Sequence, residues 1–305
     1  MSVPSAPAVA TVPRRLLDPG TLVPLSLAVL YLIWGSTYLG IHYALESYPP
    51  FTLAGLRFLA AGIVLYGFLR LRGFPVPTVG QWRNAAFTSV LLLGLGNGLI
   101  CLAEQSVGSG VSAVAVASMP LFAALFEGMY GAWPSRRETL GLVVGFAGVI
   151  VLNLGNGLSG SRLGALALLT AAAAWALGSA WSRRRDMPAG PMNTAAQMLC
   201  GGVVLMFFAL LHGEQLPAHP TLRATLAIAY LAVFGSIVAF SAYLYVLDRA
   251  RPALATSYAY VNPLVAVLLG VLVAGEQVGP LDLAGMAVIV SGVAVITLGK
   301  RRRAH

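Results

Sequence analysis

Apolar segments of about 20 residues recur along nearly the whole chain, and this pattern restricts the fold more than any other feature. A helix needs roughly 20 apolar residues, at about 1.5 Å each, to cross a hydrocarbon core of about 30 Å. The segments predict an all-α integral membrane protein with ten spans, at residues 22–44, 51–70, 82–103, 108–131, 139–155, 163–182, 191–211, 223–247, 253–274 and 281–299. The short connections leave no room for a soluble domain.

Composition supports a lipid bilayer as the surrounding medium. Of the 305 residues, 58% are hydrophobic and only 10% are charged, whereas soluble domains carry about 25% charged residues. The net charge of +9 is distributed in short clusters between apolar runs, which argues against a nucleic-acid partner. The two cysteines, Cys101 and Cys200, lie in separate apolar segments, and the sequence predicts neither a disulfide nor a metal site.

The positive charges predict the orientation of the spans. With the N-terminus in the cytoplasm, the far side receives only Arg162 and Arg223, and Arg57 lies within a helix. The cytoplasmic side receives the other sixteen basic residues, namely Arg14, Arg15, Arg70, Arg72, Arg83, Arg136, Arg137, Arg183, Arg184, Arg185, Arg249, Arg251, Lys300, Arg301, Arg302 and Arg303. This bias predicts an even number of spans and two cytoplasmic termini, formed by a Pro- and Ala-rich tail at 1–20 and a basic tail at 300–305.

The two halves of the chain resemble each other. Trp34 matches Trp175 at an offset of 141 residues, and Pro50 matches Pro191 at the same offset. Gly141 matches Gly285 at an offset of 144 residues. We therefore expect one five-helix repeat at 21–156 and a second at 161–299. Because each repeat has an odd number of helices, the second must be inverted relative to the first, as in many secondary transporters.

Two prolines occupy related positions in the repeats. Pro120 and Pro263 are expected near the middle of the fourth and ninth helices, where each would free the carbonyl group four residues earlier, at Val116 and Ala259. A kink in the helix is one interpretation. Their symmetric placement favours a second one, in which both line a cavity or act as hinges.

Polar and aromatic side chains at mid-depth are candidates for a substrate cavity. Tryptophan and tyrosine normally concentrate at membrane interfaces, so copies within a span suggest a cavity wall, although each of them could simply pack. The candidates are Trp34, Ser36, Tyr38, Asn97, Pro120, Trp175, Gln197, Ser236, Tyr243, Tyr258, Asn262 and Pro263. Such a lining suits amphipathic or zwitterionic small molecules better than polyanions.

Ionisable side chains within or beside the spans are candidates for coupling or gating. Arg57 is expected to extend to the outer headgroups or to pair with Glu46, Glu104 or Glu276, and a contact with substrate is the alternative.

Two further groups could carry a coupling proton. Glu127 is expected to pair with Arg136 or Arg137, and otherwise to bind the proton itself in a medium of low dielectric constant. His42 and Glu46 lie four residues apart, as an exposed ion pair or a protonation switch would require.

Several sequence motifs are absent. The chain has no GxxxxGK[ST] phosphate-binding loop, no HExxH and no GxSxG, and its only lysine is Lys300. ATP hydrolysis, other catalysis and a bound cofactor are therefore not expected. Transport would then be driven by a gradient of the substrate or of a coupled ion.

The chain resembles a known transporter family over residues 22–299. The stretches Ile33-Trp34-Gly35-Ser36-Thr37-Tyr38 and Ala54-Gly55-Leu56-Arg57-Phe58, and the run from Pro252 to Pro263 followed by Gly275-Glu276, resemble the EamA repeats of the drug/metabolite transporter superfamily. The last run is similar to the YedA-type subgroup of inner-membrane exporters. One departure is Ala132-Trp133, where the first repeat of the family has Gly-Glu.

The resemblance implies two inverted five-helix repeats around a central cavity in the plasma (inner) membrane. It also implies secondary transport, usually export, of a small molecule such as an amino acid, a drug or another metabolite. Uptake or exchange of a sugar, vitamin or nucleotide-derived compound is the main alternative. A channel, a membrane-embedded sensor and an enzyme are the others.

Overall fold

The computed structural model describes residues 19–106, 116–154, 162–274 and 279–298, and within these ranges every regular element is a helix. A helix lies at each of the ten predicted spans, which confirms the all-α prediction. The helices are α1 (19–45), α2 (Pro50–Leu71), α3 (79–103), α4 (Met119–Met129), α5 (Arg136–Leu154), α6 (Arg162–Ser182), α7 (Pro191–Leu211), α8 (222–249), α9 (Pro252–Ala255), α10 (Tyr258–Ala274) and α11 (Pro280–Leu298).

Six of these helices are long and apolar enough to cross a membrane, by length and composition alone. They are α1, α2, α3, α6, α7 and α8, and the stretches Met119–Met129 and Leu283–Ile296 form shorter apolar helices.

The starts of several helices follow from local sequence. Pro50 and Pro191 occupy the first turns of α2 and α7, where the missing proline N–H would have no helical partner in any case. Glu214 accepts hydrogen bonds from the backbone amides of Phe51 (3.1 Å) and Thr52 (2.7 Å), so a carboxylate stabilises the positive end of α2.

Three of the described helices contain wide π-helical turns. These turns are Leu30–Trp34 in α1, Val90–Asn97 in α3 and Leu231–Val238 in α8. The turns in α3 and α8 are 141 residues apart, the same offset that relates Trp34 to Trp175. The duplication therefore extends to an uncommon backbone feature, of a type that frequently occurs at functional sites.

The two prolines differ in their placement. Pro263 lies inside α10, as expected. Pro120 occupies the first turn of α4, after a turn at Ser118, and its position near the middle of the fourth span stays a prediction. The predicted start of this span, at 108–115, lies outside the described residues.

The ninth predicted span is interrupted. The turn at Thr256 and Ser257 separates α9 from α10. The Thr256 hydroxyl donates to the carbonyl of Pro252 (2.9 Å) and the Ser257 hydroxyl donates to that of Leu254 (2.8 Å). Such local hydrogen bonds offer the backbone an alternative to the regular helix.

Equivalent helices of the two repeats pack against each other. α2 contacts α7, and α5 contacts α11, more extensively than any other pairs of described helices. At the second interface a Cβ atom on Gly292 would lie 2.5 Å from the backbone nitrogen of Gly145. Glycine is therefore required for this close approach of the two backbones.

The two ends of the bundle are distinguished by the helices that end there. We call the end at which α1 ends and α2 begins the far end, and the end at which α4, α6 and α8 end the near end. Ser47 and Thr221 join α1 to α8 at the far end (3.3 Å), while Gln81 donates to Asp186 at the near end (3.1 Å).

Candidate functional site

A central cavity lies between helices of both repeats. It encloses about 740 Å³ of space that no protein atom fills, part of it open to the surroundings. Its lining comes from α1, α2, α3, α4, α6, α8 and α10 and comprises Trp34, Thr37, Tyr38, Ile41, Arg57, Phe58, Asn97, Ile100, Val116, Met119, Ala171, Ala172, Trp175, Gly235, Phe240, Tyr258 and Asn262. Seven of these are candidates from the sequence: Trp34, Tyr38, Arg57, Asn97, Trp175, Tyr258 and Asn262.

Aromatic rings form one wall of this cavity. The ring of Trp34 lies 5.5 Å from that of Trp175, 4.7 Å from Tyr258 and 5.2 Å from Tyr243. Edge-to-face contacts of this kind stabilise a fixed arrangement of rings. Tyr243 itself lies on the near side of this wall, where its hydroxyl is 2.5 Å from that of Ser179.

The π-helical turns position three of the lining residues. The indole N–H of Trp34 donates to the carbonyl oxygen of Gly235 (3.0 Å), so the turns of α1 and α8 meet at the cavity. Asn97 is the last residue of the turn in α3. A π-helical turn shifts the side chains that follow it, so these turns help to direct polar groups into the cavity.

Arg57 is the buried cation of the cavity. Its side chain is only 3% exposed, its Nη2 donates to Oδ1 of Asn97 (2.6 Å), and its guanidinium carbon lies 4.5 Å from the centre of the Phe58 ring. Its Nε has no hydrogen-bond partner. The expectation that Arg57 would extend to the headgroups is therefore wrong.

None of the predicted carboxylate partners contacts Arg57 in the described chain. Glu46 pairs instead with Arg223 (3.6 Å), so the expected pair of Glu46 with His42 is also wrong. Oε1 of Glu104 is buried without a hydrogen-bond partner. Glu276 lies outside the described residues.

Glu127 forms an ion pair at the near end. Its carboxylate, in a residue that is 4% exposed, lies 2.8 Å from Nη2 of Arg184 and 3.8 Å from Nε of Arg183. Arg183 also donates to the carbonyl oxygen of Ala250 (2.6 Å). The predicted pairing with Arg136 or Arg137 is wrong. Glu127 pairs instead with the two arginines that follow α6, which lie beside the end of α4.

A second ion pair at the near end was not predicted from the sequence. Arg251 lies 2.8 Å from Glu138, at the start of α5, and donates to the carbonyl oxygen of Ile296 in α11 (3.1 Å). Together the two clusters connect the ends of six helices at the near end.

Several predicted cavity residues are not among those that line the cavity. Ser36 shares hydrogen bonds with Tyr230 (2.6 Å) and the carbonyl oxygen of Ile33 (2.7 Å), and buried Ser236 donates to Leu231 (3.0 Å). Gln197 donates to Asn193 in its own helix (2.8 Å). Pro120 and Pro263 are buried against neighbouring helices, whereas His42 is exposed.

The lining residues that the sequence did not single out are mostly apolar. On α1, however, Trp34, Thr37, Tyr38 and Ile41 follow one another closely enough, at helical spacing, to share one face of the helix. That spacing could have added Thr37 and Ile41 to the prediction. The alanines of α6 and Phe240 of α8 carry no comparable signal.

Comparisons with known proteins agree with this architecture. The model of the EamA-like transporter family matches the chain twice, at residues 22–154 and 162–298. The chain is 48% identical, over 92% of both chains, to the Escherichia coli (strain K12) protein named "Uncharacterized inner membrane transporter YedA". It is 28% identical to Protein PecM of Dickeya dadantii, over 89% of this chain and 92% of that protein.

A protein of known crystal structure has the same fold. The two superpose with a TM-score of 0.77 over 91% of this chain and 98% of the other, at 22% identity. The double match, the high identity over nearly the full length and the shared fold lead to one conclusion: the chain is a membrane transporter of the EamA-like family, within the drug/metabolite transporter superfamily.

Proposed function

We propose that this protein is a secondary transporter that exports small amphipathic metabolites, amino acids or drugs across the plasma (inner) membrane by alternating access. The observation that carries the proposal is the central cavity between the two repeats, which contains an aromatic wall and a buried polar pair, Arg57 and Asn97. Inverted repeats around a mid-membrane site are typical of carriers that expose the site to each side in turn.

We propose a conformation in which the cavity is open towards the far end, where part of its lining lies. Thr37 and Ile41 lie in the last turns of α1, Arg57 in the second turn of α2, and Ile100 in the last turns of α3. These helix segments all belong to the half of the bundle that is nearest the far end. The ion pairs of Glu127 and Glu138 hold helix ends together at the opposite end.

The basic residues support the orientation. Arg70, Arg136, Arg183 and Arg251 are among the many arginines of the near end, and Arg223 stands at the far end. We therefore propose that the near end and both termini are cytoplasmic. The name of the Escherichia coli relative, an inner membrane transporter, supports the choice of membrane.

A coupling proton is part of the proposal. Glu104 follows the last residue of α3 and holds a buried oxygen without a hydrogen-bond partner, in the part of the bundle that also contains Arg57. A carboxyl group in such surroundings can gain or lose a proton as the cavity opens and closes.

The test is mass spectrometry of the growth medium. Cells that overexpress the intact protein are compared with cells that express Trp34→Ala at the same level and with cells that carry an empty vector. We expect one class of small metabolites to be enriched in the medium only with the intact protein.

Two other results would count against export. Depletion of a compound from the medium would indicate uptake, and a medium that matches both controls at normal expression would remove the support for export. If export is observed, loss of flux after dissipation of the proton gradient would support the coupling proton, and an unchanged flux would contradict it.

A further inference from the structure

Arg57 is the one charged side chain among the described residues that line the central cavity. It is 3% exposed, and its Nε has no hydrogen-bond partner. The Nη2 bond to Asn97 satisfies a single N–H of the five that a guanidinium group carries. The neutral amide of Asn97 also leaves the positive charge uncompensated.

A buried cation of this kind requires an anion. Removing an unpaired charge from water is costly, and a carboxylate at hydrogen-bond distance recovers much of that cost. No carboxylate oxygen of the described chain lies within 4.0 Å of a nitrogen of Arg57 in an ion pair. Because Arg57 lines the cavity, an anion that enters the cavity from outside the protein can approach its guanidinium group.

The rest of the lining limits what else the anion can carry. Trp34, Trp175, Phe240 and Tyr258 present flat apolar surfaces to the cavity, and such rings bind planar apolar groups well. A single cation cannot neutralise a polyanion, so phosphates and dicarboxylates are disfavoured in this cavity. Asn262 adds an acceptor oxygen, buried and without a partner, which can receive a hydrogen bond from the ligand.

We infer that the substrate is a monocarboxylate with a planar apolar body, and that Arg57 binds its carboxylate. This inference rests on the proposed transport function and narrows it to one chemical class. The guanidinium edge receives the carboxylate in a bidentate arrangement, as arginine commonly does. The apolar body lies against the aromatic wall.

Three ligands that differ only in their polar group provide the test. The purified full-length protein in lipid nanodiscs is titrated calorimetrically with 3-phenylpropionate, 3-phenylpropionamide and 3-phenylpropylamine. We expect the carboxylate to bind at least about tenfold more tightly than the amide or the amine, since a hydrogen-bonded ion pair contributes at least that factor.

Variants test whether Arg57 is the residue that binds the carboxylate. Arg57→Gln should lower the affinity for 3-phenylpropionate by about tenfold or more and leave that for the amide within about twofold. Arg57→Lys keeps the charge without the planar fork and should give an intermediate affinity. The matched control is Arg223→Gln, which removes an arginine that pairs with Glu46 at the far end and should change none of the three affinities.

Several outcomes would overturn the inference. They are equal binding of the carboxylate and the amide, preference for the amine, no binding of any of the three, or an unchanged preference in Arg57→Gln. If Arg57→Gln does not fold, the three ligands on the unaltered protein and on Arg57→Lys decide the question. Transport of compounds that carry no carboxylate would refute the inference and leave the proposed function intact, whereas the absence of any flux would refute the proposed function.

Discussion

The contact between α5 and α11 offers a direct test of the close packing of the two repeats. In Gly292→Ala the new Cβ atom would lie 2.5 Å from the nitrogen and 2.7 Å from the Cα of Gly145. Both are backbone atoms, so no side chain can rotate to make room. Ordinary contacts between heavy atoms lie at about 3.5–4.0 Å, and the two helices must therefore separate by roughly 1 Å.

The expected loss of unfolding free energy follows from this separation of the two helices. Overpacking of a tight interface costs about 1–3 kcal/mol, and the higher helix propensity of alanine returns up to about 1 kcal/mol. A net loss of about 1 kcal/mol lowers the melting temperature of a chain of this size by about 1–2 °C. Gly292→Val, with a larger side chain at the same place, should lower it further.

The assay is thermal unfolding of the purified protein at one fixed heating rate. Gly67→Ala is the matched control, because a Cβ atom at Gly67 would meet nothing within 4 Å and should leave stability unchanged or raise it by about 0.5–1 kcal/mol. If Gly292→Ala unfolds at the same temperature as Gly67→Ala, the reasoning about this interface is refuted.

Three further variants test other parts of the account. Trp34→Ala should alter the transport rate or the range of compounds exported, because the indole lines the cavity and contacts Tyr258; the same export profile as the unaltered protein would exclude this role. Glu127→Gln should lower the melting temperature by a few degrees, since Arg184 loses its carboxylate partner, and Arg184→Gln added to it should cause little further loss. Glu214→Ala should cost about 1 kcal/mol in unfolding free energy by removing three hydrogen bonds at the start of α2, two of them from backbone amides, and unchanged hydrogen-exchange protection at the start of α2 would contradict this.

The positions of the helices could be predicted from sequence because span length is set by the thickness of the bilayer. The spans predicted at 51–70 and 191–211, for example, agree with α2 and α7 to within one residue at each end. The turn at Thr256 and Ser257 was missed, since hydrophobicity alone does not register side-chain hydroxyls that bond to the backbone.

Seven of the predicted candidates line the cavity, but the sequence did not show which side chains face it. Residues such as Gln197 and Ser236 lie deep in the bundle, yet they bond within their own helices and not into the cavity. The face that a residue presents depends on how neighbouring helices pack, and π-helical turns shift that face further.

The partners of charged residues were harder still to predict. Glu127 pairs with Arg183 and Arg184, which lie in the other repeat. A pairing of that kind depends on which helices are neighbours in the bundle, and the nearer candidates in sequence are not neighbours in space.

Alternating access of the central cavity is the central claim, and thiol labelling tests it even while the substrate is unidentified. In a variant with Cys101→Ala and Cys200→Ala, a single cysteine is introduced as Thr37→Cys in the cavity lining. A membrane-impermeant maleimide is then applied separately to each face, in intact cells with a permeable outer membrane and in inside-out vesicles. Exposed Arg223→Cys, at the far end, serves as the one-sided control.

We expect Thr37→Cys to react from the outer face, and from the cytoplasmic face only in a slower phase that Glu127→Gln accelerates, because Glu127 helps to hold helix ends together at that end. Fast labelling from both faces at once would indicate an open channel. A Thr37→Cys that reacts from neither face would contradict alternating access through this cavity.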